Sequence, residues 1–181
     1  MSAHHLRLSV VSVALLVLQG CATPHPRPVV EPLPHLVQVD EGLSRGGQPS
    51  SEGIRQLAGM GVRTIVALRR RSREMDDERR LAEQLGIQWI GMPVWSWWVP
   101  SRAQMRQFLA VAADPDRRPV FVHCLYGRNR TGVMAAVYRI NHDGWTPAQA
   151  YAEARQQGLV PWNLLTRYVI LHRIPRDPGA R

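Results

Sequence analysis

From Leu36 onward, short apolar runs alternate with stretches whose apolar residues recur every three or four positions. This alternation constrains the fold more than any other feature. A strand followed by a helix cannot return as a hairpin, so successive strands are carried into parallel alignment. Leu36 to Val39, the residues around Leu43, Val62 to Leu68, Ile87 to Pro93 and Pro119 to His123 read as strands. Between them lie helical patterns. One starts at Ser50 or Ser51, carries Ile54, Leu57 and Ala58, and ends at Gly59 or Gly61. A second spans Met75 to Leu85 before Gly86, and a third, capped by Ser101, spans Arg102 to Ala113. Thr131 to His142, Pro147 to Gln157 and Trp162 to Arg173 read as closing helices. The expected class is α/β, with a mainly parallel central sheet flanked by helices, in one domain over residues 36–175 and a disordered tail over 176–181.

The first twenty residues stand apart. Met1 to Arg7 is weakly basic, and Leu8 to Leu18 is apolar but too short to span a bilayer, which reads as an export signal peptide. Leu18-Gln19-Gly20-Cys21 resembles the lipobox of bacterial lipoproteins. The resemblance implies a lipidated Cys21 as the mature first residue, a membrane partner through that N-terminal anchor, and a periplasmic location. In a Gram-negative host, Ala22 after the cysteine would favour the outer membrane. Pro24, Pro26, Pro28, Pro32 and Pro34 make Thr23 to His35 an expected extended tether, about 3 Å per residue as polyproline II.

The formal net charge of +9 is carried by arginine alone, since the chain contains no lysine. The basic residues are scattered and no recognisable binding motif accompanies them, so no nucleic-acid partner is expected. His142, His172, His4 and His5 lack metal-ligand spacing, and neither a metal nor another cofactor is expected. Arg69-Arg70-Arg71-Ser72-Arg73 reads first as a solvated connection and second as a guide for anions. With Cys21 lipidated, Cys124 has no disulfide partner despite an oxidising compartment, which points to chemistry rather than stapling.

That cysteine follows the apolar run Val120-Phe121-Val122 and precedes a helix starting near Arg130. A sulfur facing a helix N-terminus is stabilised as thiolate. Arg130, six residues on, offers a planar fork of donors to two oxygens at once. The backbone N–H groups of Leu125, Tyr126, Gly127, Arg128, Asn129 and Arg130 can close around the same oxygens, with Gly127 supplying the freedom to curl. Thr131 can offer its hydroxyl to the sulfur, and His123 is expected to buttress the loop by hydrogen bonds.

His123-Cys124-Leu125-Tyr126-Gly127-Arg128-Asn129-Arg130-Thr131 resembles the His-Cys-x5-Arg-Thr signature of the protein tyrosine and dual-specificity phosphatase superfamily. Arg45 to Ser50, Thr64 to Arg69, Leu85-Gly86-Ile87 and Met92-Pro93 are similar to its compact bacterial members. The resemblance implies a cysteine phosphatase fold with the phosphate-binding loop between the last strand and a helix. It also implies a phosphocysteine intermediate, and a phosphorylated protein or small phosphate ester as partner.

One part of that pattern is missing. The superfamily usually places an aspartate general acid in the loop that here reads Met92 to Ser101, and Ser96 stands at its place. A serine hydroxyl is too weak an acid to substitute. Glu74, Asp76, Asp77 and Glu78 are alternative donors, although they also suit a solvated helix start. Otherwise the substrate brings a good leaving group, such as a phenol or a phosphate in an anhydride, or the chain binds phosphate with little turnover. Arg128 inside the loop is a feature of phosphatases that act on inositol phosphates or pyrophosphates. Trp95, Trp97 and Trp98 are expected either to stack on a substrate ring or to cover the core.

Overall fold

A computed structural model describes residues 31–95 and 98–176. Cys21, the signal segment, the start of the tether, Ser96, Trp97 and residues 177–181 lie outside the described residues. The elements run β1 (Val37–Asp40), β2 (Leu43–Gly46), α1 (Ser51–Gly59), β3 (Thr64–Ala67), α2 (Arg73–Gln84), β4 (Gln88–Gly91), α3 (Arg102–Ala113), β5 (Val120–His123), α4 (Asn129–Asn141), α5 (Pro147–Gln156) and α6 (Leu164–His172). Sheet order is β1-β2-β5-β3-β4. Among the described residues only β1 is antiparallel to its neighbour; β2, β5, β3 and β4 are parallel, as the strand and helix alternation requires.

Alternating side chains divide the apolar mass between the two faces of the sheet. Val120, Val122 and Val66 join Phe108 of α3, Val133 and Val137 of α4, Ala150 of α5 and Ile170 of α6 in one buried cluster. Phe121 and Ile65 point the other way, into a smaller cluster with Ile54 and Leu57 of α1 and Ala82 of α2. Caps fix where the helices begin. Ser50 accepts from Gly53 N, and both Ser101 and Thr146 form reciprocal capping boxes with Gln104 and Gln149. Ser72, capping through Met75 N, starts α2 at Arg73, two residues before the position expected from its apolar pattern.

Two expectations need correction. The strands are shorter than their apolar runs, because Val62 and Ile87 are buried at the turns that enter β3 and β4. The end of the tether also belongs to the fold. Leu33 is buried in the smaller cluster, Pro32 O accepts from Ser50 N at 3.0 Å, and Pro34 O accepts from Gly47 N at 2.7 Å. The packed domain therefore begins near Pro32 rather than Leu36. Among the described residues no helix is long and apolar enough to cross a membrane.

Candidate active site

The centre of the parallel sheet is where β5 ends, and its alternation sends consecutive residues to opposite faces. His123 stacks on Phe121 at 5.7 Å on the side of α2, while Cys124 joins the cluster beneath α4. His123 is fully buried. Its Nε2 lies 2.9 Å from Glu78 Oε1, and its Nδ1 lies 3.4 Å from the Cys124 carbonyl oxygen. Glu78 also accepts from Trp89 Nε1 at 2.7 Å and from the Gln48 side chain. Burial alone would push the Glu78 carboxyl up, but His123 and the three hydrogen bonds outweigh it and hold the group below its ordinary value. An ionised carboxylate behind the sheet cannot donate a proton to a leaving group on the other face.

Cys124 is 3% exposed. Burial pushes its thiol up, yet the Thr131 side chain, the Arg130 charge and the backbone N–H groups of Thr131 and Tyr126 more than offset that, so its pKa is lowered. The Thr131 hydroxyl is buried without a hydrogen-bond partner among the described residues, and the thiol is the group on which it acts, lowering the Cys124 pKa. The helix behind the sulfur starts at Asn129, earlier than the expected Thr131, and Arg128 at its N-cap makes no side-chain cap. Uncapped N–H groups at this end are left to an anion in the concavity.

Arg130 is held in place by one nitrogen. Its Nη1 donates to Leu68 O at 3.2 Å and Val94 O at 3.1 Å, and Nε and Nη2 make no hydrogen bond among the described residues. The remaining edge of the fork can therefore meet two oxygens. Asn129 turns outward and accepts from Val160 N at 3.0 Å, tying the loop to the segment before α6. Arg128 also turns outward, its Nη2 lying 3.2 Å from His35 Nε2 and its side chain lying along Gly158. Gly127 has φ +67°, and a Cβ there would sit 2.5 Å from the Gly46 carbonyl carbon, so glycine is demanded twice over.

The sequence reading missed the residues that support this loop from below. Arg45 is 2% exposed, and its Nη2 donates to Gly127 O at 2.7 Å. Gln48 N donates to Leu125 O at 3.1 Å. Both lie in the stretch Arg45 to Ser50, whose only sequence signal is the family resemblance.

Leu125 and Tyr126 of the loop are exposed, and so are Trp95 at 59% and Trp98 at 65%. These two tryptophans do not cover the core, and the Arg70 guanidinium lies 3.7 Å from the Trp95 ring centroid. Of the proposed acids other than Glu78, Glu74 pairs with Arg69, Asp76 with Arg71 and Asp77 with Arg80 at the solvated start of α2. His142 lies with Asp40 and Asp143 in a group whose possible ligand atoms fall within 4.8 Å. Those carboxylates already face Tyr138, Arg118 and Arg139.

The profile of the family described as DSP-PTPase phosphatase fused to NAD+ kinase matches residues 36–160. Dual specificity protein phosphatase TpbA of Pseudomonas aeruginosa (strain UCBPP-PA14) is 28% identical over 129 residues, 71% of this chain and 57% of that protein. The chain thus spans a little over half the length of that curated relative. Among solved structures, a TpbA variant from P. aeruginosa in complex with phosphotyrosine aligns with a TM-score of 0.58 and 25% identity, covering 78% of this chain and 93% of that one. The core catalytic domain of the PP-IP phosphatase SIW14 from S. cerevisiae, in complex with citrate, gives 0.68 at 18% identity, covering 78% and 86%; at that identity the likeness is one of fold.

Proposed function

The chain belongs to this DSP-PTPase phosphatase family and has the cysteine phosphatase fold, and from that premise we propose that it hydrolyses phosphate monoesters through a phosphocysteine intermediate, preferring aryl phosphates of the phosphotyrosine kind. The observation that carries the reading is the placement of Cys124 before an uncapped helix start whose Arg130 is held by Nη1 alone, and the lowering of the Cys124 pKa supports it. In the first step Cys124 Sγ attacks phosphorus, and the ester oxygen departs with the bonding electron pair. The free edge of Arg130 and the loop N–H groups hold the three non-bridging oxygens, where preorganised donors stabilise developing charge most. In the second step water attacks phosphorus and the sulfur leaves as thiolate, steadied by the Thr131 hydroxyl.

The leaving oxygen needs a proton to the extent that it is basic. Glu78 is ionised behind the sheet, and no carboxylate occurs between Met92 and Ser101. Lacking a general acid costs about 10²–10⁴ in rate, a penalty felt less by a phenol than by an alkoxide. An aryl ester is the substrate class that suits this site, and the exposed Trp95 and Trp98 offer it aromatic faces. The inositol-phosphate reading is weakened by Arg128, which is turned from the concavity toward His35.

The same proposal puts the domain outside the cytoplasm, tethered to a membrane through a lipidated Cys21, on the strength of the apolar run Leu8 to Leu18 and the sequence Leu18-Gln19-Gly20-Cys21. Labelling with an alkyne fatty acid should mark the parent chain and not Cys21→Ser; equal labelling would refute the anchor. For the activity, the test is metal-free hydrolysis of an aryl phosphate beside phosphoserine peptides. Aryl turnover should be much the faster and should vanish in Cys124→Ser. Turnover that survives this substitution would overturn the mechanism. Firm vanadate binding without turnover would favour a phosphate-recognising module instead.

A further inference from the structure

A trans peptide is planar, so its C=O and N–H point in opposite directions. Whatever holds the carbonyls on the outside of the loop therefore decides which N–H groups face inward. Leu125 O is taken by Gln48 N at 3.1 Å, and the opposite end of that peptide, Tyr126 N–H, is among the donors that lower the Cys124 pKa. Gly127 O is taken by Arg45 Nη2 at 2.7 Å, and Arg128 O by Gly132 N at 2.8 Å and Arg45 Nη2 at 3.4 Å. By the same geometry Arg128 N–H and Asn129 N–H are turned to the concavity. The Gly127–Arg128 peptide is the one in greatest need of an external hold, because Gly127 resists rotation less than any other residue type would.

Arg45 reaches this place through strand register. In the parallel pairing of β2 with β5, Arg45 lies opposite Val122 and Gly46 opposite His123, which sets the Arg45 side chain under the loop. Among the described residues no carboxylate forms an ion pair with Arg45. Glu153, the acid whose field reaches it, already accepts from Arg139 at 2.7 Å, and Arg45 Nε and Nη1 are buried without a partner among the described residues. A buried cation left in this state is expensive to keep unless an anion nearby compensates it. The Cys124 thiolate is the other negative charge that acts on it.

We propose that Arg45 is a positioning residue for the phosphate loop: it holds the Gly127–Arg128 peptide from behind with the Arg128 N–H toward the phosphoryl oxygens, and its charge balances that of the thiolate and the bound phosphate. This rests on the reading that the loop binds a phosphoryl group, which the experiment keeps separable. The full chain carrying Cys21→Ser, so that Cys124 is its only thiol, is compared with the same chain carrying Arg45→Met or Arg45→Lys. Alkylation of Cys124 by iodoacetamide is followed against pH, vanadate affinity is titrated, and kcat and KM are measured on an aryl phosphate.

Arg45→Met should move the alkylation midpoint to higher pH. It should also weaken vanadate binding and lower kcat by about 10–100-fold, somewhat less than the roughly 10²–10³ lost with an oxyanion donor itself. Arg45→Lys, which keeps charge without the fork, should restore the alkylation midpoint more fully than kcat. A folded Arg45→Met protein with the parent's alkylation profile, vanadate affinity and kcat overturns the proposal. Should that variant fail to fold, hydrogen exchange in the parent decides: vanadate should protect the Arg128 amide, and an amide indifferent to vanadate overturns it. A chain that binds vanadate in an Arg45-dependent way but hydrolyses no ester refutes the proposed activity alone; one equally active after Arg45→Met refutes only the role of Arg45.

Discussion

Replacing Glu78 with glutamine should destabilise the domain by about 1–3 kcal/mol, the cost of leaving a buried hydrogen-bonding group without its partner. The Glu78 side chain is 2% exposed and accepts from three donors: His123 Nε2, Trp89 Nε1 and the Gln48 amide. A glutamine keeps the shape but offers one oxygen and turns an NH₂ toward groups that are themselves donors, so at least one buried N–H loses its acceptor. For a domain of this size the loss corresponds to a fall in Tm of roughly 2–12 °C. The pH dependence gives an independent check. The folded-state pKa of Glu78 is lowered from 4.5, so its contribution is fully present above that value and is lost as pH falls through the folded-state value. Urea titrations should therefore show the gap between parent and Glu78→Gln at its widest near neutrality, narrowing in acid. A variant within about 0.5 kcal/mol of the parent at neutral pH, the scatter expected of inconsequential surface changes, would refute the reasoning. So would a gap that widens in acid.

Gly127→Ala should lose phosphate affinity and stability together, since left-handed backbone costs a non-glycine residue about 1–2 kcal/mol before the clash with Gly46 is counted; competitive inhibition by phosphate and a thermal melt measure both. Thr131→Val removes a hydroxyl that bears on the sulfur, so phosphocysteine should accumulate in rapid-quench experiments, and a variant that turns over without such accumulation would refute that role. Because the Cys124 pKa is lowered, kcat/KM should hold up at pH values where an ordinary thiol is protonated and fall only as pH drops through the depressed value, read from the acid limb of the pH profile. Leu33→Ala should cost about 2 kcal/mol, the low end for a buried leucine; a melt unchanged by it would return this residue to the tether.

The parts of this molecule that sequence reveals are those written in consecutive residues. Strand and helix alternation yielded the parallel sheet, the glycine at 127 yielded a curled loop, and Ser50 and Ser101 announce helix starts because a cap and its recipient amide lie three residues apart. Contacts between distant positions left no such mark. Arg45 and Gly127 are 82 residues apart, and Glu78 and His123 are 45 apart. Arg45 carries no role of its own in the sequence beyond the family resemblance, and Glu78 reads as part of a solvated helix start. Glu78 was misjudged for that reason: its neighbours Glu74, Asp76 and Asp77 do form a solvated helix start, while Glu78 occupies the buried face of the same helix. The start of α4 was set too late because its signal is missing by design, with an uncapped end kept open where a cap would normally stand.

The docking of Pro32 to Pro34 has a practical side for anyone trimming the gene. Gly47 N takes the Pro34 carbonyl, and the next amide, Gln48 N, takes that of Leu125, so the incoming chain is two adjacent amides from the loop that follows Cys124. A recombinant fragment cut at residue 36 would look tidy on paper. It would also pull out a wedge on which the proposed phosphate loop leans, and any weakness that followed would be mistaken for a property of the natural protein.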